Sequence, residues 1–139
     1  MTVDQQVLEV DGSANMDVID VTEAVARFVE QSGVTAGIVQ VFTPGSTAGV
    51  TTLEYESGAI ADLKHAMEQL APTDTEYEHN LRWGDGNGYS HVRSALLGPS
   101  MSVPIAAGAP VLGTWQQIIV CDFDNRPRHR KVFVQILGE

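Results

Sequence analysis

The sequence predicts a single domain that combines α-helices with β-strands, and three observations support this. The chain has 139 residues, enough for one domain with a substantial core. Apolar runs of strand length are interspersed with two amphipathic patterns of helical period. Turn-forming residues at 124–127 separate the last two strand patterns, which predicts that these strands pair antiparallel. No repeat or linker composition divides the chain, so residues 1–139 are expected to form one domain.

The first half of the chain is predicted to contain three strands and two helices. Asp20, with Glu23 three residues later, is typical of a helix start, and Gly33 is typical of a helix end. The run 36–42 is mostly apolar and rich in β-branched residues, which predicts a strand buried on both faces. The predicted elements are strands at 6–10, 36–42 and 49–55, a helix between Asp20 and Gly33, and a helix at 60–70 ended by Pro72.

The second half is predicted to contain a long loop, a short helix and three strands. Residues 71–88 have no clear period, and so long a connection in a compact domain is usually functional, so we predict a binding loop. In the last strand, alternation places Arg130 with Val132 on one face and His129 with Lys131 on the other. The predicted elements are a helix at 90–97 and strands at 102–105, 110–123 and 128–137.

Charge and composition disfavour several classes of function. The net charge of −10 argues against binding to nucleic acid or anionic membranes, since both need a positive surface. No apolar run approaches a membrane span and the N-terminus does not resemble a signal peptide, so we expect a cytoplasmic protein. Cys121 lies in an apolar run and is expected to be a small core residue. No organic cofactor is evident from the sequence.

The basic residues are concentrated near the end of the chain. Of the eight Lys and Arg residues, four lie within 126–131, which indicates a small anionic ligand rather than a polyanion. Arg128 and Arg130 point the same way on a strand and can grip one phosphate or carboxylate. The alternative partners for these two guanidinium groups are Asp122 and Asp124.

Two histidines are the first candidates for catalysis. His79 and His91 flank a polar, glycine-rich tract that includes Asp85 and Asn87, and glycines allow a ligand to approach the backbone closely. Their spacing is not diagnostic of a metal site, so acid or base chemistry, metal binding and a plain surface location all remain open. Asn87 is a candidate for substrate contact or for turn stabilisation.

Further polar candidates lie on other segments. Ser46 and Thr47 offer hydroxyl groups, next to backbone N–H groups, that can bind an anion, although the segment is not a Walker loop and an ordinary turn is the alternative. Glu54 and Glu56 lie on the same face if their strand continues. Three interpretations are then open for the two carboxylates: a general base pair, a metal-binding pair or a solvated pair. Gln116 can reach a ligand or a partner chain, while the adjacent Trp is typical of core or interface.

The order and spacing of short motifs resemble the YjbQ-like family, whose members are also described as secondary thiamine-phosphate synthase enzymes. The resemblance covers nearly the whole chain. It is carried by Gly45-Ser-Thr-Ala48 ahead of Glu54, Tyr77-Glu-His79-Asn80, Ser90-His91, Leu96-Leu-Gly98, Ser100, Val103-Pro-Ile105, Leu112-Gly-Thr-Trp-Gln116, Asp122-Phe-Asp124 and Pro127-Arg128.

The resemblance implies a compact α+β fold with a large, mostly antiparallel sheet and two to three helices, assembled as a homotrimer with sites near subunit boundaries. It implies an activity that joins a pyrimidine methyl diphosphate to a thiazole phosphate. The family's pattern often has a histidine where this chain has Gly45, and that histidine would complete a metal site with His79 and His91. We therefore consider Zn²⁺ or Mg²⁺ as metals, with Glu54 as a further ligand.

Three hypotheses about function follow from the sequence. The first is a synthase-type enzyme, in which His79 and His91 act as acid and base or bind metal, and Glu54 orients the substrate. The second is a trimeric module that binds a phosphorylated metabolite or a metal ion without turnover, and the third is a purely structural trimer. In the first, the candidate substrate-binding residues are Ser46, Thr47, Asn87, Gln116, Arg128 and Arg130.

Overall fold

The computed structural model describes residues 1–14 and 16–139, which form an α+β fold of two antiparallel sheets and four helices. In chain order, the elements are β1 (Thr2–Gly12), β2 (Asp17–Asp20), α1 (Thr22–Ser32), β3 (Ala36–Phe42), β4 (Ala48–Leu53), α2 (Ser57–Leu70), α3 (Glu78–Trp83), α4 (Gly88–Leu97), β5 (Ser100–Ala106), β6 (Ala109–Pro110), β7 (Gln117–Asp122) and β8 (Arg128–Gly138). No helix in this described part of the chain is long and apolar enough to cross a membrane.

The two sheets differ in size and share no strand. The larger sheet has the order β1-β8-β3-β5-β6, and the smaller has the order β2-β7-β4. Every neighbouring pair is antiparallel. The predicted antiparallel hairpin between the last two strands is therefore wrong, because β7 and β8 lie in different sheets. Each already has a partner on both sides, so neither offers the other a free edge.

The core has two layers, one on each side of the smaller sheet. The main layer packs α1 between the sheets and includes Ile118 and Val120 of β7. The second layer packs the opposite face of β7, with Ile119 and Cys121, against α2. The strand buried on both faces is thus β7. The same prediction for β3 is wrong, since its side chains alternate between buried and exposed.

Several predicted boundaries also change. The first helix begins after Val21 rather than at Asp20, whose carboxylate instead accepts hydrogen bonds from the backbone N–H and hydroxyl of Thr22. The predicted strand 110–123 is two strands, β6 and β7, separated by a loop. The strand predicted to run to Tyr55 ends at Leu53, and Glu56 caps α2. The tract 71–88 contains α3, and β2 was not predicted.

Candidate functional site

An ion pair between Arg130 and Asp122 joins the two sheets at one end of the molecule. Arg130 lies near the start of β8, and Asp122 is the last residue of β7. Nε of Arg130 donates to Asp122 Oδ2 and Nη2 donates to Oδ1, both at 2.8 Å, and both side chains are buried. Nη2 also donates to Thr47 Oγ1 at 2.7 Å. Arg130 was predicted to bind a phosphate, but two of its three nitrogens are already used to connect the sheets.

Asp124 is the centre of the adjoining network. It is fully buried and accepts hydrogen bonds from Arg128 Nε at 2.8 Å, the Asn125 backbone N–H at 2.8 Å and Thr47 Oγ1 at 3.1 Å. Burial alone would raise the pKa of the Asp124 carboxyl. The hydrogen bonds from Asn125, Arg128, Asn87 and Thr47 outweigh that effect and hold the pKa below its ordinary value.

We expect Asp124 to make stability dependent on pH at the acid end. Its folded pKa is depressed, so its contribution is present above the unfolded value of about 3.9 and is lost as the pH falls through the folded pKa. Asp124→Asn should lower the free energy of unfolding near pH 7 by about 1–3 kcal/mol and flatten its decline below about pH 4. Urea unfolding from pH 7 to pH 3 measures this, with exposed Asp62→Asn as control. An unchanged slope in Asp124→Asn would contradict it.

His79 and His91 lie side by side, as the tract between them suggested. Their ring centroids are 4.3 Å apart with the planes tilted by 39°. His79 lies in α3 and His91 in α4, and the turn between the helices closes where Asn80 accepts a hydrogen bond from the backbone N–H of Gly88 at 2.8 Å. A side chain at Gly88 would overlap Tyr77, so this close approach requires glycine.

Asp85 and Asn87 connect the histidines to the arginine network. Asp85 Oδ1 lies 3.3 Å from Nδ1 of His79, which is buried and has no aligned hydrogen-bond partner among the described residues. One end of the Asn87 amide lies 3.3 Å from Asp124 Oδ1, and the other lies 3.0 Å from Asp85 Oδ1. Only one end of an amide donates, so the amide oxygen faces one of the two carboxylates. The site therefore has a surplus of hydrogen-bond acceptors.

Arg128 is the positively charged residue of this site whose terminal guanidinium nitrogens are not used in hydrogen bonds within the described chain. Its side chain is 36% exposed and only Nε is hydrogen-bonded within the described chain, to Asp124. The terminal Nη1 and Nη2 are therefore available to an anion. The contact with Asp124 is one of the carboxylate pairings that the sequence left open as an alternative to a ligand, and it fixes the direction in which the guanidinium points.

Two predicted residues lie elsewhere in the structure. Glu54 and Gln116 are near the Leu53–Gln117 end of the β4–β7 pair, whereas the histidine network is near the Ala48–Asp122 end. Five residue steps of about 3.3 Å separate these ends by about 17 Å. Gln116 is hydrogen-bonded locally to Gly113 and Thr52. Glu56 accepts bonds from the first N–H groups of α2, so it serves as a helix cap.

The segment 45–47 reaches the network through one residue. Thr47 is buried and contacts both Asp124 and Arg130, whereas Ser46 is exposed beside it. Gly45 has a φ of +118°, a conformation that side-chain-bearing residues rarely adopt, and the space at its Cβ position is 3.4 Å from Arg130 Nη1. A histidine at position 45 would require this turn to rearrange.

The residues do not form a complete metal site within the described chain. Among the described residues, no three His, Cys, Asp or Glu side chains are grouped closely enough to hold a metal ion. Structural and catalytic zinc sites use at least three protein ligands. The chemistry that His79 and His91 offer within the described chain is therefore that of proton carriers and hydrogen-bonding groups.

Sequence reasoning missed the contribution of Asn125 and understated that of Asp124. Asn125 Nδ2 donates to the backbone carbonyl of Asp85 at 2.8 Å, which ties the glycine-rich turn to the segment before β8. The spacing of Asp122 and Asp124 matches that of Arg128 and Arg130. That repeated spacing was the signal available for an internal double pairing.

Comparison with known proteins identifies the family. The family model described as UPF0047 protein YjbQ-like matches residues 6–139. The chain belongs to the YjbQ-like UPF0047 family.

Relatives of the YjbQ-like family match along essentially the full chain. A UPF0047 protein of Methanothermobacter thermautotrophicus is 37% identical over 139 residues, covering 100% of this chain and 95% of that protein. The crystal structure of a protein of unknown function from Sulfolobus solfataricus has a TM-score of 0.89 at 29% identity, covering 99% of this chain and 100% of that one. A Clostridium acetobutylicum YjbQ/UPF0047 structure has a TM-score of 0.87 at 33% identity, covering 95% and 99%.

Proposed function

We propose that this chain is a cytoplasmic enzyme that acts on a small phosphorylated substrate at the His79–His91 site. The observation that carries the proposal is the position of the Asp85–Asn87 acceptor pair, which lies beside the paired histidines and is linked through Asp124 to Arg128. The site thus combines groups that can carry a proton, acceptors that lack donors and a cation with free nitrogens. In a purely structural cluster, most buried polar groups have hydrogen-bond partners. The unmet hydrogen-bonding capacity here therefore favours a functional site.

The reaction that we propose joins a pyrimidine methyl diphosphate to a thiazole phosphate. The bond between the methylene carbon and the diphosphate oxygen breaks, the diphosphate leaves, and the thiazole nitrogen forms the new C–N bond. An exocyclic amino group on the pyrimidine would supply the donor that Asp85 and Asn87 lack. Arg128 would bind phosphate oxygens through Nη1 and Nη2, and a protonated histidine would donate a hydrogen bond to the leaving diphosphate.

We expect His79→Asn and His91→Asn each to reduce turnover by about 100-fold or more while ligand binding is retained, because a positioned acid contributes to the transition state more than to the bound substrate. Thiamine phosphate and diphosphate formation should be measured with both substrates, with and without Mg²⁺. Calorimetric titration with the pyrimidine diphosphate measures binding separately.

Two controls make this experiment decisive. His65 is exposed on α2, so His65→Asn should behave like the wild type. Arg128→Gln should weaken binding of the diphosphate and reduce turnover at low substrate concentration. Absence of both turnover and binding in the wild-type protein would overturn the proposed function.

The second candidate is a binding module without turnover, and the double pairing of arginines with buried carboxylates favours it. Arg128 and Arg130 are held by Asp124 and Asp122, so contacts within the chain fix the orientation of both guanidinium groups. A preformed site of this kind suits a receptor for a phosphorylated metabolite as well as an enzyme. Loss of binding in the histidine variants, with no turnover in the wild type, would select the module.

We also propose that the chain assembles as a homotrimer through the outer face of the larger sheet. This face has an apolar row of Val7, Phe133 and Phe42 on adjacent strands and a second apolar row of Leu137 and Ile38, each row crossing neighbouring strands in register. All of these side chains except Phe133 are exposed. Contiguous apolar surface on a sheet is typical of a protein interface.

A further inference from the structure

Two exposed arginines flank the turn that connects α3 to α4. Arg82 lies in the last turn of α3, three residues before Asp85. Arg126 follows Asn125, whose side-chain amide donates a hydrogen bond to the backbone carbonyl of Asp85 at 2.8 Å. Consecutive Cα atoms are about 3.8 Å apart, so this hydrogen bond holds the backbone of Arg126 close to the turn. The two arginines therefore reach the edge of the candidate site from two different segments of the chain.

The charges of these two arginines are not compensated within the described chain. Neither Arg82 nor Arg126 forms an ion pair there, although the chain has 18 acidic residues against eight lysines and arginines. The Arg82 guanidinium instead lies over the Trp83 ring, 5.5 Å from its centre. A guanidinium on an aromatic ring keeps N–H groups free to donate. The pair thus offers positive charge and hydrogen-bond donors to a ligand.

The proposed reaction needs a second group of cations at this site. Both of its substrates carry phosphate, whereas the histidine network contains one arginine with free terminal nitrogens, Arg128. Arg128 is held by Asp124, which is linked through Asn87 to the histidines, so it suits the leaving diphosphate. Two phosphate groups on one guanidinium would repel each other, because both are negatively charged. The phosphate of the other substrate therefore requires cations of its own.

We propose that Arg82 and Arg126 form a second anion subsite, which binds the phosphate of the thiazole substrate. Trp83 is 67% exposed beside these arginines, so a heteroaromatic ring can pack against it while the phosphate contacts the guanidinium groups. A ligand that is both aromatic and phosphorylated fits this combination better than inorganic phosphate does. The thiazole identity of the ligand rests on the proposed function, whereas the binding of a phosphate monoester at these arginines does not.

The position of Trp83 on α3 connects this subsite to the histidines. Trp83 follows His79 by four residues, and residues at this spacing are neighbours on one side of a helix, with Cβ atoms about 5–6 Å apart. His79 in turn lies beside His91, with ring centroids 4.3 Å apart. A ring packed against Trp83 is therefore at the edge of the histidine pair, where its nitrogen can meet the methylene carbon of the pyrimidine substrate.

The fluorescence of Trp83 measures binding at this subsite directly. The chain has two tryptophans, so Trp115→Phe leaves Trp83 as the only one. This variant should be titrated with the thiazole phosphate and with the thiazole alcohol, which lacks the phosphate. We expect a saturable change in emission with the phosphate, and binding of the alcohol that is weaker by at least about tenfold, the loss that one charge-assisted hydrogen bond represents. Adding Arg82→Gln and Arg126→Gln should weaken binding of the phosphate by the same factor.

A matched control removes two positive charges elsewhere. Lys64 on α2 and Lys131 on the outer face of β8 are exposed, and neither forms an ion pair within the described chain. Lys64→Gln with Lys131→Gln should leave binding of the thiazole phosphate within about twofold, and circular dichroism checks the folding of every variant. Equal weakening in the control would show an effect of net charge and overturn the subsite. Unchanged emission, or unchanged binding in the arginine variant, would also overturn it.

Steady-state kinetics separates this subsite from the proposed function. In the variant with Arg82→Gln and Arg126→Gln, KM for the thiazole phosphate should rise by at least about tenfold, while KM for the pyrimidine diphosphate stays within about twofold. Arg128→Gln should show the reverse pattern. Saturable binding without turnover in the wild type would overturn the proposed reaction and leave the subsite in place. Turnover with both KM values unchanged in the arginine variant would overturn the subsite alone.

Discussion

Asp122→Ala is expected to lower the free energy of unfolding by about 3–5 kcal/mol. Asp122 is fully buried and binds Arg130 through both carboxylate oxygens, so its removal leaves a buried guanidinium without its counter-charge. The loss should be large because the pair also joins the two sheets at one end of the molecule. Urea unfolding at neutral pH, followed by circular dichroism, measures it.

A double variant separates the cost of an unpaired charge from the value of the pair. Asp122→Leu combined with Arg130→Met replaces both charges by apolar groups, and buried ion pairs replaced in this way often lose little stability. We expect the double variant to recover most of the loss seen in Asp122→Ala. If both proteins are equally destabilised, the pair itself, and not the uncompensated charge, is what holds the sheets together.

Phe133→Asp is expected to convert the proposed homotrimer into monomers. Phe133 lies on the outer face of β8, between Val7 of β1 and Phe42 of β3, and an aspartate there would place an unpaired charge in an apolar interface. A penalty of about 3 kcal/mol corresponds to roughly 100-fold weaker association. Light scattering over a range of protein concentrations measures the mass in solution.

The matched control for this experiment carries the same charge elsewhere. Gln31 is exposed on α1, away from the larger sheet's outer face, so Gln31→Asp should leave the mass unchanged. A wild-type protein that is monomeric at all concentrations would refute the homotrimer. A trimeric Phe133→Asp would show that the subunits meet through a different surface.

The sequence predicted the elements whose pattern is local. Alternation along β8 predicted Arg130 and Val132 on one face and His129 and Lys131 on the other, and in the structure the first pair is buried and the second is exposed. Gly33 ends α1 in the left-handed conformation expected of a helix end. In these elements, the alternation of side chains and the chemistry of turns depend on residues that are close in the chain. Their structure could therefore be predicted without knowledge of tertiary contacts.

The predictions that failed depended on partners far away in the chain. β2 has only four residues, with Asp17 and Asp20 at its ends, and it is a strand because β7 pairs with it. The β7–β8 connection looked like a hairpin because turn residues reveal a reversal without revealing which sheet each strand enters. The carboxylates Asp122 and Asp124 were among the partners that the sequence left open for Arg128 and Arg130, but the burial that selects this pairing is not visible in a sequence.

The pairing of β8 also constrains how this protein is made. Both β1 and β3 hydrogen-bond to β8, which follows them in the chain. The strand that connects β1 to the rest of the larger sheet is therefore missing until β8 has been synthesised. At 5–20 residues per second, the ribosome needs roughly 6 to 23 s to proceed from the end of β1 to the start of β8. During that interval β1 must stay unpaired beside a growing chain. Its acidic residues Asp4, Glu9 and Asp11 are interspersed among its apolar ones, and like charges on two copies of this strand disfavour their pairing with each other.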